Sequence, residues 1–203
     1  MVSANIASTD DALWQLVRAG DAEAFGVLFE RYGKAIYNYC FRRTADWAAA
    51  EDLSSMVFLE VWRRREQDLA PGTVLAWLYG VATNLLRNRR RSSRRYAAAL
   101  ARIALPEPTP DFAGDVVERL DDEKQMARVL SSIATLTRRQ QEVLALCDWS
   151  GLSYEAAAAA LALPIGTVKS SLFRARKRIR ELSIAYGHEH AQNVANEGAS
   201  RSA

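Results

Sequence analysis

PIGTVKSSLFRARKRIREL, residues 164–182, is the stretch from which the rest of this chain can be read. Val168, Leu172, Ala175, Ile179 and Leu182 recur at the three- and four-residue spacing of one helical face. Lys169, Arg174, Arg176, Lys177, Arg178 and Arg180 fill the remainder against a single acid, Glu181. One side packs and the other is strongly positive. Pro164 and Gly166 punctuate a short turn in front of it. A basic helix entered through a tight turn suits the second helix of a helix-turn-helix, which lies in the DNA major groove with its first residues at base edges. The plainer alternative is a solvated surface helix.

The chain has 203 residues, enough for two small domains or for one with a long linker. Its 49% hydrophobic and 25% charged content is that of a globular protein with a real core. The net charge of +3 is mild, but its distribution is not. Residues 87–95 carry six arginines, Arg87, Arg89, Arg90, Arg91, Arg94 and Arg95. Residues 107–123 reverse the sign, with seven acids against Arg119 alone. Two basic helices separated by an acidic spacer suit a polyanion touched at two points. Cys40 and Cys147 lie far apart within apolar helical patterns, as packing thiols of a reducing compartment do. No apolar run reaches the roughly 18 residues of a membrane span, and no secretory signal opens the sequence, so no membrane insertion and a cytoplasmic location are expected.

Helical period dominates every long segment. Asp10 or Asp11 can cap a first short helix, and Gly20-Asp21 ends it and caps the next. Phe25, Leu28, Phe29, Tyr32, Ile36, Tyr39 and Cys40 form the apolar stripe of a helix over 22–43. Asp46 caps a third helix, with Leu53, Val57, Phe58, Val61 and Trp62 inward. Its other face mixes Glu51, Asp52, Ser54, Ser55 and Glu60 with Met56 and Leu59, too acidic for DNA and too apolar for solvent alone, so a protein partner is expected there. A fourth helix spans about 74–96. Pro106, Pro108 and Pro110 then mark an extended linker. Thr137 and Gln140 form a capping box, and Ser153 caps a helix through the alanine run 156–160. The chain is therefore read as all-α, two small helical domains joined by an extended acidic linker. Beyond about 183 it is small and polar, and disorder is expected.

Asn84, Arg87, Asn88, Arg91 and Arg95 share one face of the fourth helix, opposite its buried stripe. Arginine pairs with phosphates as a bidentate donor, and asparagine reads a base edge or bonds a sugar. Trp77 opens the same helix, where it either stacks on an unpaired base or packs in the core. Catalytic signals are weak. There is no glycine-rich phosphate loop and no metal-ligand cluster, and the only histidines, His188 and His190, lie in the tail. No catalytic residue, metal or cofactor is assigned, and no enzymatic activity is expected.

Four segments resemble the extracytoplasmic-function sigma factors, the short group (group IV) of the bacterial sigma-70 family. AEDLSSMVFLEVW (50–62) resembles the family's helix that binds the clamp of RNA polymerase. WLYGVATNLLRNRRR (77–91) looks like its −10 recognition helix. LTRRQQEVLALCDWSGLSYEAA (136–157) and LPIGTVKSSLFRAR (163–176) resemble its −35 binding domain.

The resemblance implies a sigma region 2-like domain over 10–96, a flexible linker over 97–122, a region 4-like helix-turn-helix domain over 123–183 and a tail over 184–203. It implies core RNA polymerase and promoter DNA as partners, and an anti-sigma factor as a further one. Lys169, Ser170, Ser171, Phe173 and Arg174 would face the −35 element, with Arg176 and Lys177 near phosphate. Trp77, Asn84, Arg87, Asn88 and Arg91, with the loop around 68–73, would hold the −10 region. Asp52, Ser55, Phe58 and Trp62 would form or support the polymerase-binding surface. The chain departs from the usual pattern at Ser171, Ala156, Ser55, Met56 and Asn88. A stand-alone helix-turn-helix regulator with a helical sensor domain would share the second signature but has no need of the Asn/Arg face on the fourth helix.

Overall fold

A computed structural model describes residues 8–70, 72–100 and 116–200. The described residues are helices joined by short turns, with no strand among them. Four helices make the first unit: α1 (Asp10–Arg18), α2 (Ala22–Thr44), α3 (Trp47–Arg63) and α4 (Val74–Leu100). The second contains α5 (Val116–Ser132), α6 (Arg138–Leu144), α7 (Tyr154–Leu161) and α8 (Ile165–Ser200). A wide π-type turn over Ala145–Trp149 continues α6.

Local chemistry starts these helices. Asp21 accepts from the N–H groups of Glu23 and Ala24, and Asp46 from that of Ala49. Thr137 and Gln140 close the expected capping box at α6, and Ser153 caps α7. At α1 the cap is Thr9 rather than Asp10 or Asp11, whose carboxylates sit in the first turn, where the helix dipole favours negative charge. Both aspartates have other employment. Asp10 accepts from Arg31 and Tyr32 of α2, and Asp11 accepts from the Gly72 amide at 2.8 Å.

The core of the first unit is strongly aromatic. Leu13, Trp14 and Val17 of α1 are buried, and Trp14 packs edge-on against Trp77 with ring centroids 5.0 Å apart. Tyr39 and Tyr79 meet edge-on at 5.1 Å, and the buried Tyr39 hydroxyl is bonded to Thr83 Oγ1 at 2.8 Å. Burial pushes the Cys40 thiol up to about 12, so it serves as a small apolar group.

Several elements depart from the sequence reading. Of the spacer expected over 97–122, residues 97–100 belong to α4 and residues 116–122 to α5, while 101–115 lie outside the described residues. From 116 to 132 no proline or glycine interrupts the helix, and Met126 and Leu130 give α5 an apolar side packed on the core. Glu123 accepts from the Trp47 amide at 2.8 Å and so helps to cap α3 across the molecule. α8 continues as backbone helix to Ser200, beyond the expected end near 183; no proline follows Pro164. The turn before α8 is made by Ala162 in the left-handed region (φ 52°), while Gly166 lies inside the helix. α7 and α8 meet at 105°, within the usual range for helix-turn-helix pairs.

The two units touch. α4 packs on α7 as extensively as on α3. This approach requires glycine at position 80, because a Cβ there would lie 2.8 Å from the carbonyl oxygen of Ala160. The Arg42 guanidinium also donates to the carbonyl of Trp149. We expect Gly80→Ala to separate α4 from α7 while each unit keeps its own helices. Small-angle scattering should show a larger radius of gyration at unchanged helical circular dichroism; an unchanged radius would show that the contact absorbs a methyl group.

Candidate nucleic-acid interface

Two cationic surfaces emerge, one on each unit. On α4, Asn84, Asn88, Arg91 and Arg95 are exposed along one face. The structure thus brings four of the five sequence-predicted polar positions of this helix onto one open surface. Arg87 is turned aside. Its Nε and Nη2 donate to the two carboxylate oxygens of Glu142 in α6, at 2.9 and 2.6 Å, and its Nη1 donates to Asn84 at 3.2 Å. Trp77 is half-buried against Trp14, so of the two roles open from sequence the packing one is met here.

The loop leading into α4 is held by α1. Arg18 pairs with Asp68 at 2.7 Å, and Asp11 holds the Gly72 amide. Gly72 has φ +71°, a conformation that suits glycine. A short N-terminal helix therefore shapes the loop, an assignment that periodicity had no means to make because the partners are 50 and 61 residues apart.

Of the positions on α8 that the sequence assigns to DNA, Lys169, Phe173, Arg174, Arg176 and Lys177 are exposed. Phe173 is 70% exposed, unusual for an aromatic ring on a helix with a packed side. The Lys169 ammonium stands 5.6 Å over the Tyr154 ring. Arg176 donates from Nε and Nη2 to Asp148 at 3.1 and 2.5 Å, and this bond pushes its pKa up. Ser170 is half-buried, with its hydroxyl donating to the Thr167 carbonyl at 3.2 Å. Ser171 must be corrected. It is 5% exposed, so its side chain does not reach a base edge in this arrangement. It stands three residues after Val168 and therefore joins Leu172 and Ala175 on the inward face, which the five-residue stripe had not included.

A third surface lies on α2 and α3. Asp52 and Ser55 are exposed, Trp62 is half-buried and Phe58 is buried. Phe58 thus supports this surface from beneath, where it meets Phe25 and Phe29 at 6.2 and 4.7 Å. Phe29, read from sequence as part of the buried stripe of α2, is 48% exposed. With the exposed Leu59 it forms an apolar patch bordered by Ser55 and Trp62, and Met56 is exposed elsewhere on α3. Ser54 was expected outward but is buried, since it follows Leu53 on the inner side of α3.

Glu142 joins the units. It is almost fully buried and accepts from Arg138 Nε at 2.9 Å as well as from Arg87. Burial alone raises its pKa, but the hydrogen bonds from Arg87 and Arg138 more than offset this and leave the carboxyl below its ordinary 4.5.

Both units match known families. Residues 28–96 match the family described as Sigma-70 region 2, and residues 126–179 match Sigma-70, region 4. The chain belongs to the sigma-70 family. Within it, the chain is 33% identical over 181 residues to the ECF RNA polymerase sigma factor SigK of Mycolicibacterium vanbaalenii, covering 87% of this chain and 89% of that protein. It is 29% identical over 172 residues to the ECF RNA polymerase sigma factor SigE of Mycolicibacterium smegmatis, covering 82% of this chain but 64% of that longer protein. It is accordingly an RNA polymerase sigma factor of the extracytoplasmic-function group. The fold is shared with CnrH, solved in complex with the cytosolic domain of CnrY (TM-score 0.66, 23% identity, 87% of this chain and 97% of that one). It is shared also with RpoE of Bartonella quintana, solved with the anti-sigma factor NepR (TM-score 0.59, 24% identity, 78% and 95%). Among the described residues no single helix is long and apolar enough to cross a membrane.

Glu142→Gln should weaken the contact between the units by about 1–3 kcal/mol, the cost of replacing by a neutral amide a buried carboxylate that two part-exposed arginines hold. Because the folded carboxyl titrates below its ordinary value, its contribution is complete above that value and is lost as pH falls through the lowered one. Scattering of the wild type should therefore show the units loosening below about pH 4.5, and Glu142→Gln should remove this step.

Proposed function

We propose that this sigma factor binds core RNA polymerase through the α2–α3 patch and contacts the promoter with the exposed faces of α4 and α8. In this reading a unit over 10–96 meets the −10 region and a unit over 123–183 meets the −35 element, joined through 97–122. The observation that carries the reading is the pairing, in one chain with both sigma regions, of an open Asn/Arg face on α4 with an open cationic face on α8.

Each residue type suits its task. Arg174 and Lys169 lie near the start of α8, where a recognition helix enters the major groove, and Lys177 lies within reach of phosphate. Asn84, Asn88 and Arg91 offer amide and guanidinium donors to an unpaired strand, beside the loop shaped by α1. Arg87 and Arg176 serve DNA only after leaving Glu142 and Asp148. Phe29 and Leu59 supply an apolar centre and Asp52 and Ser55 a polar rim, the usual anatomy of a protein–protein contact. The protein acts by binding rather than by catalysis, and in the cytoplasm. An anti-sigma partner is part of the proposal, since CnrH and RpoE were solved with CnrY and NepR.

Leu59→Asp should abolish retention on immobilised core polymerase while leaving the helical spectrum unchanged, and retention at the wild-type level would refute the docking surface. Arg174→Ala should keep core binding and lower −35-dependent transcription in vitro by about tenfold, the loss of roughly one good base contact. Replacing Asn84 and Arg91 together should reduce permanganate reactivity of −10 thymines in the polymerase–promoter complex, and unchanged reactivity would remove them from that role.

A further inference from the structure

Between the two units lies a half-open cavity of about 380 Å³. This falls in the size range of small-molecule sites. Its charge is unbalanced. Arg43 of α2, Arg87, Arg89 and Arg90 of α4 and Arg138 of α6 line it, against Asp46 and Glu142.

The two acids are already committed. Glu142 is held by Arg87 and Arg138. Asp46 caps α3 through one oxygen and stands 3.4 Å from Arg89 through the other. Among the described residues neither Arg43 nor Arg90 forms an ion pair of its own, and Glu142, already held by two arginines, offsets the charge of Arg90 only in part. Arg43 Nε is shielded from solvent and has no hydrogen-bond partner among the described residues. A buried guanidinium donor left unpaired is costly and asks for an acceptor. Burial and the neighbouring Arg94, Arg43 and Arg138 also push Arg90 down from its ordinary pKa, as crowded like charges do. A second trough of about 450 Å³ shares Arg87, Arg90 and Arg138 and adds Arg91, Arg94 and Arg95, with no acid in its lining.

We infer that the cavity between the units is a binding site for a small molecule bearing a diphosphate group, held by Arg43, Arg90 and Arg138. Planar guanidinium forks match phosphate oxygens bidentately, and a diphosphate supplies the negative charge that the two protein acids do not. Arg43 and Arg138 lie outside the promoter-facing positions on α4 and α8. The lining joins residues of α2 and α4 to residues of α6, so the site exists only while the units are packed. A ligand that binds this arrangement alone draws the population toward it. In that arrangement Arg87 stays on Glu142. Occupancy therefore opposes promoter engagement, and the cavity becomes a regulatory input on the sigma factor. This inference goes beyond the promoter reading and does not depend on which bases are read.

The test is calorimetry on the full-length free protein with inorganic pyrophosphate, GDP and GMP, at about 0.15 M salt to screen diffuse attraction. Pyrophosphate or GDP should bind one-to-one, and GMP should bind more weakly than either. Tighter binding of GDP than of pyrophosphate would make the ligand a nucleotide, and equal binding would mean that the diphosphate alone is recognised. Arg43→Ala and Arg138→Ala should each weaken binding about tenfold or more, the loss of one charge-assisted contact. Arg43→Lys should fall between wild type and Arg43→Ala, because it keeps the charge and loses the fork. Arg63→Ala, on the exposed end of α3, should change nothing. Bound ligand should hold the radius of gyration at or below that of the free protein. Absence of binding, or binding indifferent to Arg43 and Arg138, would overturn the inference. Core-polymerase retention, measured separately, tells this failure from failure of the functional reading.

Discussion

The carboxylate of Glu142 organises the relation between the two halves of this molecule. It is enclosed between Arg87 of α4 and Arg138 of α6, and accepts hydrogen bonds from both. A buried charge is tolerated only when its lone pairs are answered, and here three guanidinium N–H groups answer them. The same bonds take Arg87 from the polar face on which its helical spacing places it. One ion pair thus sets both how the units meet and how much of the α4 face is open.

Around that contact the packing is unforgiving in one place and permissive in others. Gly80 leaves no room for a methyl group beneath the Ala160 carbonyl, so α4 and α7 approach at backbone distance. The cavity around Glu142 is lined instead by long arginines, one of which leaves a shielded donor without a partner among the described residues. A junction built from one tight backbone contact and one incompletely neutralised charge cluster can come apart without disturbing either core. The aromatic packing of Trp14, Trp77, Tyr39 and Tyr79 lies within the first unit, and Val168, Leu172 and Ala175 lie within the second.

Much of the fold was legible because helical periodicity and capping are local. Asp21, Asp46, Thr137 with Gln140, and Ser153 could be assigned as caps because each bonds an amide within three residues. Errors appeared where one residue of rotation mattered. Ser171 and Ser54 are small enough for either side of a helix, and neighbouring packing draws both inward. Phe29 is apolar and stands in the stripe of α2, yet the stripe is wider than the partner helix covers, and its ring is left half in solvent. Residues 116–122 looked like linker because they are acidic, but Met126 and Leu130 of the same helix pack on the core, and Glu123 finds a distant amide to cap.

By itself the amino-acid sequence determined an all-α chain, two cationic helices in its two halves and an acidic, apolar-centred face on a third. Those properties follow from spacing, charge and capping, which act over one or two turns of helix. Tertiary structure alone decided which cations are open. Arg87 and Arg176 are engaged by Glu142 and Asp148, 55 and 28 residues away, while Asn84, Arg91 and Arg174 stay exposed. The reason is geometric. A helix fixes the direction of a side chain, but the charge it meets there is set by whatever the rest of the chain brings alongside.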